Sequence, residues 1–150
     1  MRKLPAVLTV MAMAALGTAL PVSTAHAAAD CHGAYEGAKA GYMYAYDSAN
    51  CIGFLGRAKG MDSNWGDSSG SFQGGDTNKA TSILNKGTTL EVQFFNGTGT
   101  WTGGYTCLAR SEWFASNLSD NKFSSGATVN NAISSHRWVT GPTCGNNWAD

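Results

Sequence analysis

Few side chains in this chain could do chemistry. After His26, which falls in a leader segment, the imidazoles are His32 and His136. His136 follows Ser134-Ser135, a neighbourhood that invites a serine-hydrolase reading. Adjacent residues on a strand point to opposite faces, so Ser135 and His136 are not placed to share a proton. The carboxylates are scattered, with no pair marking acid/base work. No enzyme is expected. The four cysteines, Cys31, Cys51, Cys107 and Cys144, include no C-x-x-C knuckle, which argues against zinc. In an oxidising compartment they form two disulfides, with three connectivities open on count alone.

The remaining chemistry is oxygen-rich and occurs twice. Asn130-Asn131-Ala132-Ile133-Ser134-Ser135 is two amides, two spacers and two hydroxyls, and Thr77-Asn78-Lys79-Ala80-Thr81-Ser82 repeats the pattern about fifty residues earlier. A Phe in a Gly/Ser-rich loop precedes each copy, Phe72 and Phe123. A period of this length means one supersecondary unit used twice, each copy burying a face against the other.

The elements that must position these motifs are short strands. Gly41 to Tyr46 reads as a first strand, Asp47 to Asn50 as its turn and Cys51 to Leu55 as its return. A long loop from Asp62 to Gly75 leads to a strand at Thr81 to Leu84, closed by Asn85-Lys86-Gly87. In the second pass Leu90, Val92 and Phe94 alternate with Thr89, Glu91 and Gln93, the pattern of a strand with one buried face. Asn96-Gly97 signals a turn, Gly104 to Ala109 runs back, and Ile133 to Val139 closes the unit. Trp113 to Leu118 could form a helical turn, and Pro142 to Asp150 reads as a polar tail. The fold class expected is an all-β sandwich.

Residues 1–27 read as a signal peptide: a cationic start at Arg2-Lys3, an apolar run from Pro5 to Leu20, and small residues at Ala25-His26-Ala27. The apolar run is shorter than the roughly 20 residues that span a bilayer, so a secreted protein without a membrane anchor is expected. Removing Arg2 and Lys3 takes the ten basic residues to eight against ten acidic ones, a net charge of −2. No basic run is present, so no nucleic-acid partner is expected. Residues 28–150 are one domain's worth of chain, expected to be a monomer.

Tyr46, six residues and then Gly53 resembles the aromatic-x6-Gly signature of the βγ-crystallin Greek key. The resemblance implies a folded hairpin with the aromatic packed on it and a glycine in a conformation other residues resist. In the second unit Phe95 and Gly103 stand one residue further apart. Two Greek-key units follow, about 42–87 and 88–139, with a disulfide-tied tail at 140–150. In calcium-binding βγ-crystallins the Asn/Ser segments give oxygens to a metal shared between the units, which makes Thr77, Asn78, Thr81, Asn130, Asn131 and Ser134 candidate ligands. These are neutral, and Asp76 and Asp120 lie outside the motif positions, so affinity is expected at the weak extracellular end, about 10⁻⁴ to 10⁻³ M. The alternative is that the amides and hydroxyls bond to groups in their own loops, and no cofactor is required.

More narrowly, the chain resembles secreted actinobacterial proteins of the Streptomyces metalloproteinase inhibitor type. The signal peptide, the two units, the paired cysteines, Lys79 to Thr88 and Tyr105-Thr106-Cys107-Leu108 carry that likeness. It implies an extracellular protease as partner and Cys107-Leu108 as reactive bond, a rigid segment braced by a disulfide. The alternative at that position is a core Leu108 beside a structural half-cystine. A further alternative for the whole chain is an extracellular binding or structural module, calcium-binding or killer-toxin-like at cell surfaces. Trp65, Trp101, Trp113 and Trp148 with Tyr42, Tyr44 and Tyr105 would serve either as core or as a carbohydrate or partner platform. For the disulfides, pairing within each unit is topologically simplest: Cys31–Cys51 and Cys107–Cys144.

Overall fold

Turn residues cut the described chain into short extended runs, and these pair into two four-stranded sheets. The computed structural model describes residues 30–150; the expected signal peptide lies outside the described residues. In the first sheet, β1 (Met43–Ser48) pairs antiparallel with β2 (Ile52–Ala58) on one side and β3 (Ser82–Asn85) on the other. In the second, β4 (Glu91–Phe95) lies between β5 (Tyr105–Leu108) and β7 (Ser135–Val139), both antiparallel to it.

The units exchange edges. β6 (Phe114–Ala115) leaves the second unit's stretch of sequence and pairs with β3, Ile83 opposite Ala115. In return Asp62, from the first unit's long loop, exchanges backbone hydrogen bonds with His136 of β7, 3.0 Å one way and 2.8 Å the other. Where a helical turn was expected at Trp113 to Leu118, the structure therefore has a strand, because β3 offers an unpaired edge there. The tail also differs from expectation. After a 3₁₀ turn at Gly141–Cys144 it adds β8 (Trp148–Ala149) parallel to β5.

A seven-residue helix not expected from the sequence, α1 (Cys31–Gly37), opens the described chain. The Asp30 carboxylate caps it, accepting from Gly33 N–H at 2.8 Å. A helix this short is unstable alone. The Cys31–Cys51 disulfide pins it to the first sheet, and Cys107–Cys144 pins the tail to the second.

Between the sheets lie Met43, Ala45, Ile83, Val92, Phe94 and Leu108, all fully buried. The long loop joins this core through Trp65 and Phe72, whose rings stack with centroids 3.9 Å apart. Phe72 lies against Gly56, where a Cβ would come within 2.8 Å of its ring, and Phe123 lies against Gly104 in the second unit. At Gly56 the glycine lets ring and backbone meet, whereas at Gly104 the crowding comes first from Ser125 and then from the Phe123 Cβ.

Candidate functional site

The two Asn/Ser motifs meet, each bonding to the other in the same pattern. The second residue of each has a left-handed backbone, φ +57° at Asn78 and +55° at Asn131, a conformation Asn tolerates better than most residues. That turn aims each amide N–H at the fourth residue of the other motif. Asn78 N–H donates to Ile133 C=O at 2.8 Å, and Asn131 N–H to Ala80 C=O at 2.9 Å.

The fifth residues then reach across. Ser134 Oγ donates to Asn78 Oδ1 at 2.9 Å, and Thr81 Oγ1 donates to Asn131 Oδ1 at 3.3 Å. The sixth residues face inward. Ser82 Oγ donates to Ser48 C=O at 2.7 Å and accepts from Cys51 N–H, while Ser135 Oγ donates to Gly97 C=O at 2.7 Å. Each motif therefore clasps its counterpart and also ties down a hairpin turn of its own unit.

The first residues break the symmetry. Thr77 Oγ1 donates to Ser134 Oγ at 3.2 Å. Asn130 Oδ1 is buried and accepts no hydrogen bond among the described residues. A buried carbonyl oxygen without a donor is costly, and a cation or a water would satisfy it. One half of the clasp joins three neutral side-chain oxygens, those of Thr77, Ser134 and Asn78, while the other joins those of Thr81 and Asn131, with Asn130 preceding Asn131 in the chain. Among the described residues no three His, Cys, Asp or Glu side chains converge to hold a metal. Asp76 accepts the Gln73 N–H at 2.9 Å. The donor set fits a hard, partly hydrated cation held weakly, not a high-affinity calcium cage.

The arrangement of strands has known counterparts. A solved protein described under the evolution of the eye lens βγ-crystallin domain fold matches with a TM-score of 0.53 at 18% identity, over 69% of this chain and 89% of its own. The fold is βγ-crystallin-like. A βγ-crystallin from an archaeon gives a TM-score of 0.47 at 24% identity, over 67% of this chain and all of its own. At these identities the likeness is one of fold. No family model and no curated protein matches the chain.

Two features of a βγ-crystallin hairpin are visible here. Gly53 has φ +71°, and a Cβ there would fall 1.8 Å from Asp47 Oδ1. Gly103 has φ +83°, and a Cβ there would fall 2.2 Å from Asn96 Oδ1. The second hairpin accommodates its extra residue in a loop where Trp101, itself at φ +60°, packs on Phe95 with centroids 5.7 Å apart.

Cys107 and Leu108 stand elsewhere than a reactive bond requires. Both have zero exposure, in β5 between β4 and β8, with Leu108 in the core and Cys107 bridged to Cys144. A bond paired on both sides of its strand cannot enter a protease cleft without dismantling the sheet. The position answers to the structural alternative. The aromatic residues also divide. Trp65 is core, Trp113 is exposed and stacks on Tyr35 beside α1, and Trp148 is exposed with its Nε1–H on Gly145 C=O.

His136, considered in the sequence only as a hydrolase candidate, is fully buried. Trp65 Nε1–H donates to its Nδ1 at 2.9 Å, so the ring proton sits on Nε2, which donates to Gly60 C=O at 3.1 Å. Burial lowers its pKa to about 4, against the opposing pull of the Gly60 carbonyl and the Asp62 charge. It is a neutral structural imidazole. Its chain neighbours, Ser135 and Arg137, gave no sign of that burial.

Proposed function

We propose that this protein is a non-catalytic, secreted βγ-crystallin-type module whose motif clasp binds calcium weakly and stiffens the joint between its two units. The observation behind this reading is the crosswise pairing of the motifs, which brings side-chain oxygens of the two units together, with the unsatisfied Asn130 Oδ1 on the residue before Asn131. Two disulfides suit an oxidising, extracellular setting. A ligand that bridges both motifs binds only the folded state, so it stabilises by about 1.4 kcal/mol at ten times its Kd.

Calorimetric titration of the mature protein with calcium tests the reading. Heat is expected in the millimolar range and is expected to vanish in Asn131→Ala, together with a calcium-dependent rise in Tm. No heat and no Tm shift at about 10 mM calcium, well above the weakest extracellular sites, would leave the clasp purely structural.

Peptidase inhibition, the expectation raised by the Streptomyces inhibitor resemblance, has no support from Cys107-Leu108, because that bond is inside a sheet. An inhibitor of this fold would have to present another segment to its protease.

A further inference from the structure

Among the described residues the fold leaves one long strand edge open. The sheets run β2-β1-β3-β6 and β7-β4-β5-β8. β6 and β8 are two residues each, too short to template a further strand, and the outer side of β7 is met at His136 by Asp62. β2 is seven residues long and pairs with β1 on one side, while no backbone group among the described residues bonds to its other side. An edge of this kind recruits strands. It also carries exposed apolar side chains, Ile52 at 47% and Phe54 at 60% exposure. A charge and a bulge are ordinary devices against edge pairing. On β2 they are placed so that one partner still fits.

The bulge sets the spacing. Ala45 lies opposite Gly56 and Tyr46 opposite Phe54, so Leu55 is the extra residue. Phe54 and Arg57, three apart, therefore share the outer face of the sheet. Phe54 stands edge-on to Tyr46, centroids 6.1 Å apart, and Arg57 lies opposite Tyr44 with its guanidinium 5.3 Å from the Tyr42 ring centroid. On a regular strand, residues of one face are two or four apart. A regular partner strand can match Phe54 or Arg57, but not both in one register. A second copy running antiparallel has the same three-residue spacing, so Phe54 of each copy faces Arg57 of the other.

We infer that two copies of this protein, expected from its sequence to be a monomer, pair through β2, antiparallel about a two-fold axis between Leu55 and Gly56. The pairing joins their first sheets into one and makes two cation–π contacts, each between an exposed Phe54 and a guanidinium. Charge fits as well. Asp47 is exposed and its carboxylate fills the space a Cβ on Gly53 would take; among the described residues neither it nor Arg57 belongs to an ion pair. The arginine that reaches Phe54 thus arrives beside an acid of the other copy. Because the two-fold contact uses up the open edge of both copies, assembly stops at the dimer. The contact is one strand wide, which places it among small, transient interfaces. It is separate from the motif clasp and does not depend on calcium there.

Sedimentation of the mature, disulfide-bonded protein from about 1 µM to about 1 mM tests the pairing. A monomer–dimer equilibrium with a micromolar dissociation constant is expected, with amides of residues 52–58 gaining hydrogen-exchange protection as concentration rises. Phe54→Arg sets arginine against arginine twice and is expected to weaken the dimer about a hundredfold, with an unchanged Tm showing that the fold is intact. Phe54→Arg combined with Arg57→Phe remakes the crosswise contacts and is expected to recover the dimer to within about fivefold of wild type. Trp148→Ser, exposed on the second sheet, is expected to leave it unchanged. A protein that stays monomeric at about 1 mM overturns the proposal and leaves the edge to a strand of another protein. It is equally overturned by polymers in place of a dimer, by a dimer whose β2 amides gain no protection, by a double variant no better than Phe54→Arg alone, or by a Trp148→Ser variant that loses the dimer.

Discussion

His136 shows what one side chain does when the fold denies it water. Its ring accepts from Trp65 at Nδ1 and donates from Nε2 to Gly60, and the Trp65 bond is lost if Nδ1 is protonated. In the unfolded chain the imidazole takes up a proton below about pH 6.5, whereas in the native state it stays neutral down to about pH 4. Protons in that window therefore favour the unfolded state. The His136 contribution is whole above about pH 6.5, falls as the solution is acidified, and levels off below about pH 4, a loss of about 3 kcal/mol in all. Urea denaturation at pH 7, 5.5 and 4.5 should show the decline, and a His136→Gln variant should lack the part of the slope that lies in this window. A slope identical in the variant would assign the acid sensitivity to the carboxylates.

At the scale of an element, the first hairpin depends on Gly53 for two separable reasons. Its φ of +71° disfavours any side chain, and the Asp47 carboxylate occupies the place a Cβ would take. Gly53→Ala is expected to cost about 1 to 3 kcal/mol by chemical denaturation. Adding Asp47→Ala should recover the steric part and leave the backbone part, so the double variant is expected between the single variant and wild type. Ser82 links this hairpin to the clasp, since it bonds the turn at Ser48 and Cys51 while its neighbour Thr81 bonds Asn131. A distorted turn thus reaches the candidate cation site through one residue.

At the scale of the molecule, the sheets exchange edges and the disulfides hold the ends. Neither α1 nor the tail buries enough apolar surface to stay in place unaided; in α1 the only buried residue is Cys31. The bridges close loops of 20 and 37 residues. Loop-closure entropy then gives about 3 to 4 kcal/mol for each. Replacing Cys107 and Cys144 with Ser is expected to lower stability by that amount and to raise hydrogen exchange over 141–150 first, with the first sheet less affected. Uniform loss of protection across both sheets would mean that the tail is integral to the core.

Much of this architecture was legible in residue order, because local physics dictates it. Turn clusters and alternation located the strands, the repeated motif announced two units, Tyr46 and Gly53 carried the hairpin, and adjacency within each unit suggested the disulfide pairing. What the tertiary structure decided were properties that exist only between distant segments. β6 is a strand because β3 has a free edge. Leu108 is core, not a presented reactive residue, because β4 and β8 cover both sides of its strand. The Asn/Ser motifs look the same in sequence whether they serve their own loops or each other, and only their meeting shows the crosswise clasp and the unpaired Asn130 oxygen. Lys39 and Arg57 are far apart along the chain and meet on the Tyr42 ring only when the segment leading into β1 lies beside β2. Charge density depends on distance in space, which spacing along the chain does not set.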